Sequence, residues 1–598
     1  MKETLQNLFE SRIKEEKESV KTLAGKSKTL SAIRITLFII VGFGVVWFAN
    51  ENQPDILLTI LLAGVVVFVL LMVSHSKAKF KLLLAESRLQ VSEEELQRIS
   101  LDINSLDQGS EFYDQFHPYH EDLDIYGKHS IFQLINRTTT LYGKQTLAKW
   151  LDAPAENEII IKRQQTQTEL KEKLDLRQNF QAFGLLFKEK TNPEALLEWL
   201  GDTQKAHAPF YLKAALAVLP LAMITTIVMS LSGLVVYQVP ILIGFINAAF
   251  LLTVFKKLEE ITRKTESGYK SLQVLKHHIE LLENESFESE ALKNIQQNLR
   301  TENSKASDFI QQLHSILDNL QNRANLMYVV FDVLLLLDVF WYIRIQNWRS
   351  KNQVNLESWF KSIGEFEALS SIAGFSHVNP DYTLPQLTDE PYQLKAETLG
   401  HPMISAQSRI SNDFEFKGKG GVCLITGSNM SGKSTFLRTL GVNCILGLMG
   451  APVCAESMTI GQMKVFTSMR SKDDLEEHVS SFYAELKRLK QLLGYIDGDK
   501  PILYMIDEVL KGTNSDDRHK GATALIKQLN STDAFGFVST HDIELGNITN
   551  QLKHVKNYSF NSIIEGDEII FDYTLTDGIC KSFNATKLMQ NMGIDIPD

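Results

Sequence analysis

Val422–Leu446 reads VCLITGSNMSGKSTFLRTLGVNCIL. A short apolar strand, Val422–Thr426, runs into Gly427-Ser428-Asn429-Met430-Ser431-Gly432-Lys433-Ser434, and a helical stretch follows. This is G-x-x-x-x-G-K-[ST] in the strand–loop–helix setting that the motif requires. Glycines let the backbone wrap a phosphate, while N–H groups and the helix N-terminus hold its negative charge. The spacing therefore predicts nucleotide phosphates bound by Gly427, Ser428, Asn429, Met430, Ser431, Gly432, Lys433, Ser434 and Thr435. Lys433 is expected to reach the β/γ-phosphates and Ser434 to coordinate Mg²⁺.

Two later stretches extend this reading. ILYMIDE (Ile502–Glu508) is an apolar strand ending in two carboxylates. Asp507 suits the Mg²⁺ shell, and Glu508 is placed to polarise an attacking water as a general base. FGFVST (Phe535–Thr540) delivers His541 to a third strand end, where it is a candidate γ-phosphate sensor. Three such elements in order predict an α/β P-loop ATPase domain that uses ATP and Mg²⁺.

The rest of the chain is different. Its 598 residues allow about four average domains. With 44% hydrophobic and 22% charged residues, the composition excludes global disorder. The four cysteines form no C-x-x-C pair, which excludes a cysteine zinc site and a disulfide scaffold. A net charge of −11 argues against a strongly basic nucleic-acid binder, though not against a local basic surface.

Apolar residues concentrate in paired runs. Ile33–Ala49 and Ile56–Val73 are joined by NENQPD, and Ala214–Leu231 and Val235–Phe255 by a turn around Ser232-Gly233. Each run is near the shortest length that spans hydrocarbon, and each pair reads as a transmembrane helical hairpin. Lys and Arg flank the outer ends of both pairs and are missing from both tips. The positive-inside rule then puts the tips outside and the rest in the cytoplasm, as in a multi-pass protein of the cytoplasmic membrane. A fifth run, Leu326–Ile343, carries Asp332 and Asp338 and reads as a buried helix of a soluble domain. Leu272, Leu275, Ile279 and Leu282, then Leu292, Ile295 and Leu299, follow helical spacing that predicts packed lever helices. The expected order is a first hairpin within 1–104, a core segment at 105–208 and a second hairpin at 209–256. A helical lever and core at 257–385 and the ATPase domain at 386–598 complete it.

Several motifs go beyond a generic phosphate loop. TGSNMSGKSTFLRTLG (Thr426–Gly441) resembles the loop of the MutS mismatch-repair ATPases, with Ser428 in place of proline. GAPVCAES (Gly450–Ser457) is similar to the family's next strand, and DDLEEHVSSFYAEL (Asp473–Leu486) to its D-D-L…S-T-F-x-x-E segment. DEVLKGTNSDD (Asp507–Asp517) resembles the loop after the acidic strand, with Leu510-Lys511 replacing Gly-Arg. STHDIEL (Ser539–Leu545) is similar to the A-T-H-x-x-E-L switch, and Leu123–Pro154 to the start of the core domain. The resemblance implies an all-α core and lever domain preceding an ABC-type ATPase that works as a homodimer. Ser480 and Ser481 would face the partner's γ-phosphate, and Asn412 would lie near the nucleotide base.

The departures shape the functional expectation. Where mismatch readers carry a wedge-bearing domain and a connector, this chain has a membrane hairpin and a charged helix. Phe112-Tyr113-Asp114-Gln115-Phe116 superficially resembles the wedge but reads as a packed linker. The expectation is a membrane-anchored MutS-like ATPase whose ligand is DNA, mismatched or branched. An ATPase acting on a protein partner or the membrane is the alternative, and a transporter is a third.

Overall fold

The computed structural model describes residues 2–51, 53–186, 193–201, 208–301, 304–321, 323, 326–352, 355–470, 481–496, 500–511, 513–565 and 568–581. Its helical part begins with α1 (Lys2–Asn50) and α2 (Pro54–Ser100), which pack side by side. They approach closely at Gly64, where a Cβ would lie 2.6 Å from Val41 Cγ2. There follow α3 (Ile131–Ile135), α4 (Leu141–Asp152), α5 (Asn157–Glu172), α6 (Leu174–Leu185) and α7 (Glu194–Gly201). The second hairpin is α8 (Phe210–Leu231) and α9 (Gln238–Asn284). Next come α10 (Glu290–Asn298), a small ribbon of β1 (Arg300–Thr301) and β2 (Ser304–Lys305), and α11 (Ala306–Gln321). α12 (Leu326–Leu335), α13 (Leu337–Asn352) and α14 (Asn355–Val378) complete this part.

Among the described residues, four helices are long and apolar enough to cross a membrane: α1, α2, α8 and α9. Their apolar side chains point outward. Phe38, Phe43, Leu62, Leu70, Phe245 and Leu252 are all more than half exposed. Three of these helices continue without a break into the core. At about 1.5 Å per residue, α1 is about 70 Å long, and its Phe9 is fully buried against His377. α9 carries its apolar stretch straight into Leu272, Leu275, Ile279 and Leu282, all buried. The division between hairpin and lever expected at residue 256 is thus not a joint, because α9 runs through it.

The fifth apolar run also departs from expectation. It is two helices, broken at Leu336, whose φ is +54°. Val329, Val330 and Phe331 of α12 are about half exposed, so α12 is not a buried core helix. The Phe112–Phe116 segment is divided: Phe112 packs on Tyr126 and Phe132, whereas Phe116 is 64% exposed.

The C-terminal part is α/β, with two sheets. It contains β3 (Gln386–Thr388), β4 (Gln393–Leu399), β5 (Asn412–Lys417), β6 (Val422–Gly427) and α15 (Lys433–Met449). β7 (Ser457–Gly461), β8 (Lys464–Ser468), α16 (Ser481–Ile496) and β9 (Ile502–Ile506) follow. The last elements are α17 (Ser515–Asn530), β10 (Ala534–Thr540), β11 (Val555–Glu565) and β12 (Glu568–Asp577). One sheet has the order β12-β11-β6-β10-β9-β8, parallel except for β12; the other is β3-β7-β4-β5. Both faces of β6, β9 and β10 are buried, which explains their unbroken apolar runs. Gly450–Ser457, expected as a strand, is mostly a turn. Gly450 ends α15 with φ +94°, Val453 makes an isolated bridge to Thr383, and the strand starts only at Ser457.

A buried ion network fixes α2 to the core. Arg137 donates to both oxygens of Glu95 on α2, at 2.7 and 2.9 Å, and Arg98 reaches the Asn136 carbonyl at 2.6 Å. Burial would raise the Glu95 carboxyl, but Arg137 and Arg98 hold it below its usual value. Glu95→Ala strands a buried guanidinium, which costs about 3–5 kcal/mol. By contrast, Arg12→Ala at the exposed pair with Asp175 costs less than about 1 kcal/mol. Denaturation midpoints of the full-length variants check this ordering; equal losses would refute it.

Candidate functional site

Register places the site. Parallel pairing sets Thr540 beside Thr426 and Val538 beside Ile506, so three strands end together. The loop after β6, the carboxylates after β9 and the histidine after β10 share that edge. The loop itself needs glycine at two positions. A Cβ on Gly427 would lie 2.7 Å from Ser431 Oγ and 2.8 Å from the Phe560 carbonyl. Gly432 has φ +106°, which favours a residue without a side chain.

The loop lines a cavity of about 410 Å³ together with Asn412, Glu508, Phe560 and Tyr573. α15 starts at Lys433 with no side chain capping its N-terminus. Ser431 Oγ is buried and has no hydrogen-bond partner. Lys433 Nζ donates to the Gly427 and Ser428 carbonyls at 2.9 and 2.8 Å. Burial pulls its ammonium below the usual value, against the attraction of Asp507 and Glu508. Uncapped N–H groups, an orphaned hydroxyl and a cation folded onto its own loop suit a polyphosphate.

Glu508 is the most constrained residue of the site. It sits at φ +53°, uncommon for a residue with a side chain. Its N–H donates to the Ser539 carbonyl at 3.2 Å and Oγ at 3.1 Å. His541 bridges two elements: Nδ1 lies 2.9 Å from the Gly427 carbonyl and Nε2 lies 2.7 Å from Glu508 Oε1. Lys511 Nζ is 2.9 Å from the other oxygen, Oε2. The Glu508 carboxyl is accordingly held down to about 2, first by the hydrogen bond from His541 and then by Lys511.

The remaining expected residues are placed as follows. Asp507 accepts a hydrogen bond from Ser539 Oγ and lines a neighbouring cleft of about 320 Å³ with Glu508, Lys511 and Arg488. Ser434 and Thr435 line the loop cavity. Asn412 lines it too, but its amide is occupied with β12. Nδ2 donates to the Tyr573 carbonyl at 3.1 Å, and Oδ1 accepts from Leu575 N at 2.7 Å. These two bonds tie the cavity wall at Asn412 to β12. Ser480 lies outside the described residues, as does the Ser481 side chain at the start of α16. Sequence reading missed Lys511 and Glu485 as partners of the acidic loop. Glu485 accepts from the N–H groups of Leu510 and Lys511.

Residues 423–594 match the family model of MutS domain V. The DNA mismatch repair protein MutS of Thermotoga neapolitana is 28% identical over 242 residues, covering 40% of this chain and 29% of that protein. MutS of Lactobacillus johnsonii is 30% identical over 229 residues, with 37% and 26% covered. MutS protein homolog 4 of Mus musculus is 32% identical over 232 residues, with 36% and 23% covered. These matches show similarity to MutS proteins. The similarity is carried by the C-terminal part, and the chain spans less than a third of the length of these curated relatives.

The carboxyl's depression carries a pH consequence in this MutS-like site. A folded value near 2 lies below the ordinary 4.5, so its contribution is complete above about pH 4.5 and fades only as pH falls towards 2. Glu508 thus gives no acid limb to turnover between pH 5 and 8. Replacing both His541 and Lys511 by Ala lets the carboxyl rise towards 4.5 and brings a limb to near pH 5. Profiles of kcat against pH that coincide would contradict the clamp.

Proposed function

We propose that this protein is a membrane-anchored, MutS-like ATPase that binds and hydrolyses ATP as a homodimer and acts on DNA. The observation that carries it is the meeting of Lys433, Glu508 and His541 at one sheet edge, within a region that matches MutS domain V. Residues 427–435 would hold the phosphates of ATP, and Ser434 and Asp507 would hold Mg²⁺. Mg²⁺ held there would neutralise phosphate charge.

The chain's own groups divide the work. Lys433 leaves the two loop carbonyls to meet phosphate oxygens. Glu508 orients and deprotonates the attacking water, and His541 fixes the carboxylate from the opposite strand end. Lys511 holds the carboxylate until the loop rearranges, which keeps the base from acting early. Ser480 and Ser481 complete the site across the dimer. Closure then moves α1, α2 and α9, whose apolar halves lie in the cytoplasmic membrane with the ATPase on the cytoplasmic side. DNA as ligand follows from the mismatch-repair names of the relatives. A second reading, an ATPase acting on a protein partner at the membrane, is favoured by the net charge of −11.

ATP binding and turnover by the full-length protein in lipid discs, with and without duplex and branched DNA, test this reading. Lys433→Ala is expected to lose ATP binding. Glu508→Gln is expected to bind ATP and hydrolyse it about 10²–10⁴-fold more slowly. Retained binding in the first variant or unchanged turnover in the second would overturn the site. Stimulation by a membrane protein partner and none by DNA would transfer the activity to the second reading.

A further inference from the structure

The break in the fifth apolar run has a specific setting. α12 lies against α8 and α9, the second hairpin. Asn247 of α9 is fully buried, and its Nδ2 donates to the Val333 carbonyl at 2.7 Å. Val333 also faces Gly244, where a Cβ would sit 4.0 Å from its Cγ1. At the other end, the Arg323 guanidinium lies 5.1 Å over the Phe255 ring. On α13, Tyr342 lies 5.6 Å from Lys257 Nζ.

These pairings order the elements by depth. Phe255 and Lys257 mark the foot of the apolar stretch of α9, and Gly244 lies about 16 Å further towards the tip. Ten residues of α12 rise about 15 Å. α12 therefore climbs from the foot of the hairpin to the level of Gly244–Asn247, reverses at Leu336, and α13 descends.

A reversal at that depth is stable only if its backbone groups find partners inside the protein. They do. The Asp332 carbonyl accepts from Leu336 N at 2.7 Å, and Asp332 Oδ1 accepts from Asp338 N at 2.7 Å. Asn247 takes the Val333 carbonyl. Arg323 closes on the Asp338 carboxylate, with Nε 2.9 Å from Oδ1, and Tyr328 Oη donates to the same oxygen at 2.9 Å. Leu336 is fully buried, and Asp332 and Asp338 nearly so. Of the two carboxylates that argue against a fifth span, Asp332 thus caps the turn and Asp338 is neutralised by Arg323.

The outward face of α12 is apolar: Val329, Val330 and Phe331 are 49%, 50% and 46% exposed. α9, against which α12 packs, exposes the apolar Ile241, Phe245 and Leu252 as well. We infer that α12 and the start of α13 form a re-entrant hairpin, entering the same leaflet as the foot of α8–α9 and presenting Val329–Phe331 to lipid acyl chains. The inference rests on the membrane reading proposed above. It gives the lever a contact with the bilayer that moves with α11 and α13 and is separate from the four spans.

Nitroxide labels on the full-length protein in lipid discs test it, with Val330→Cys and Phe331→Cys as probes. Phe245→Cys, on a span, and Lys361→Cys, whose exposed position on α14 faces solvent, are the references. The native cysteines are all buried, so the introduced ones take the label. The ratio of oxygen to nickel-chelate accessibility at 330 and 331 is expected to be severalfold above that at 361 and on the lipid side with 245. If 330 and 331 read like 361 while 245 reads lipid, the re-entrant hairpin is wrong and the membrane reading survives. If 245 also reads aqueous, both fall. A photoactivatable acyl-chain lipid on the unsubstituted protein gives an independent reading. Adducts are expected in the peptide holding residues 328–335 as well as in α8 and α9, and adducts confined to α8 and α9 would overturn the inference.

Discussion

Parallel pairing of β6 with β10, and of β10 with β9, is the constraint on which the site depends. Its register stops three strands at one edge and delivers a lysine-bearing loop, a carboxylate pair and a histidine to the same few ångströms. Everything chemical follows from that edge. His541 can hold Glu508 only because its own strand carries it past the Gly427 carbonyl. Lys433 can rest on two loop carbonyls only because Gly427 and Gly432 let the loop turn so tightly.

The second organising feature is helix continuity. The four long apolar stretches are all helical, so their backbone polar groups bond within the segment. These helices do not stop at the end of their apolar stretches. α1 carries the buried Phe9 near its start, α2 carries the buried Glu95, and α9 supplies buried Leu272, Leu275, Ile279 and Leu282 beyond its apolar half. The Glu95–Arg137 pair is where α2 is fastened to the core, with both partners under a tenth exposed.

Much of this was legible in the sequence, and for physical reasons. Strands buried on both faces write themselves as unbroken apolar runs, so VCLITG, ILYMI and AFGFVST announced the strand ends and their functional residues. The paired apolar runs announced four long helices, and the 3-4 spacing of Leu272, Leu275, Ile279 and Leu282 announced a packed face. What stayed hidden depends on partners distant in sequence. Nothing near Asn412 shows that Tyr573 and Leu575 occupy its amide. The Leu336 break has no glycine or proline to mark it, because Asp332 and a residue of another helix, Asn247, supply its bonds. The clamp on Glu508 by Lys511 was written in the sequence as a departure from the family pattern, but its meaning needed the distance.

The central claim, a MutS-like motor held at a membrane and working on DNA, is tested most directly by DNA binding of the full-length protein in lipid discs. Homoduplex, mismatched and branched DNA would be titrated with ADP and with ATP at several salt concentrations. The account predicts nucleotide-dependent binding that weakens steeply as salt rises, because phosphate contacts release counterions. No binding at low salt in either nucleotide state would contradict it.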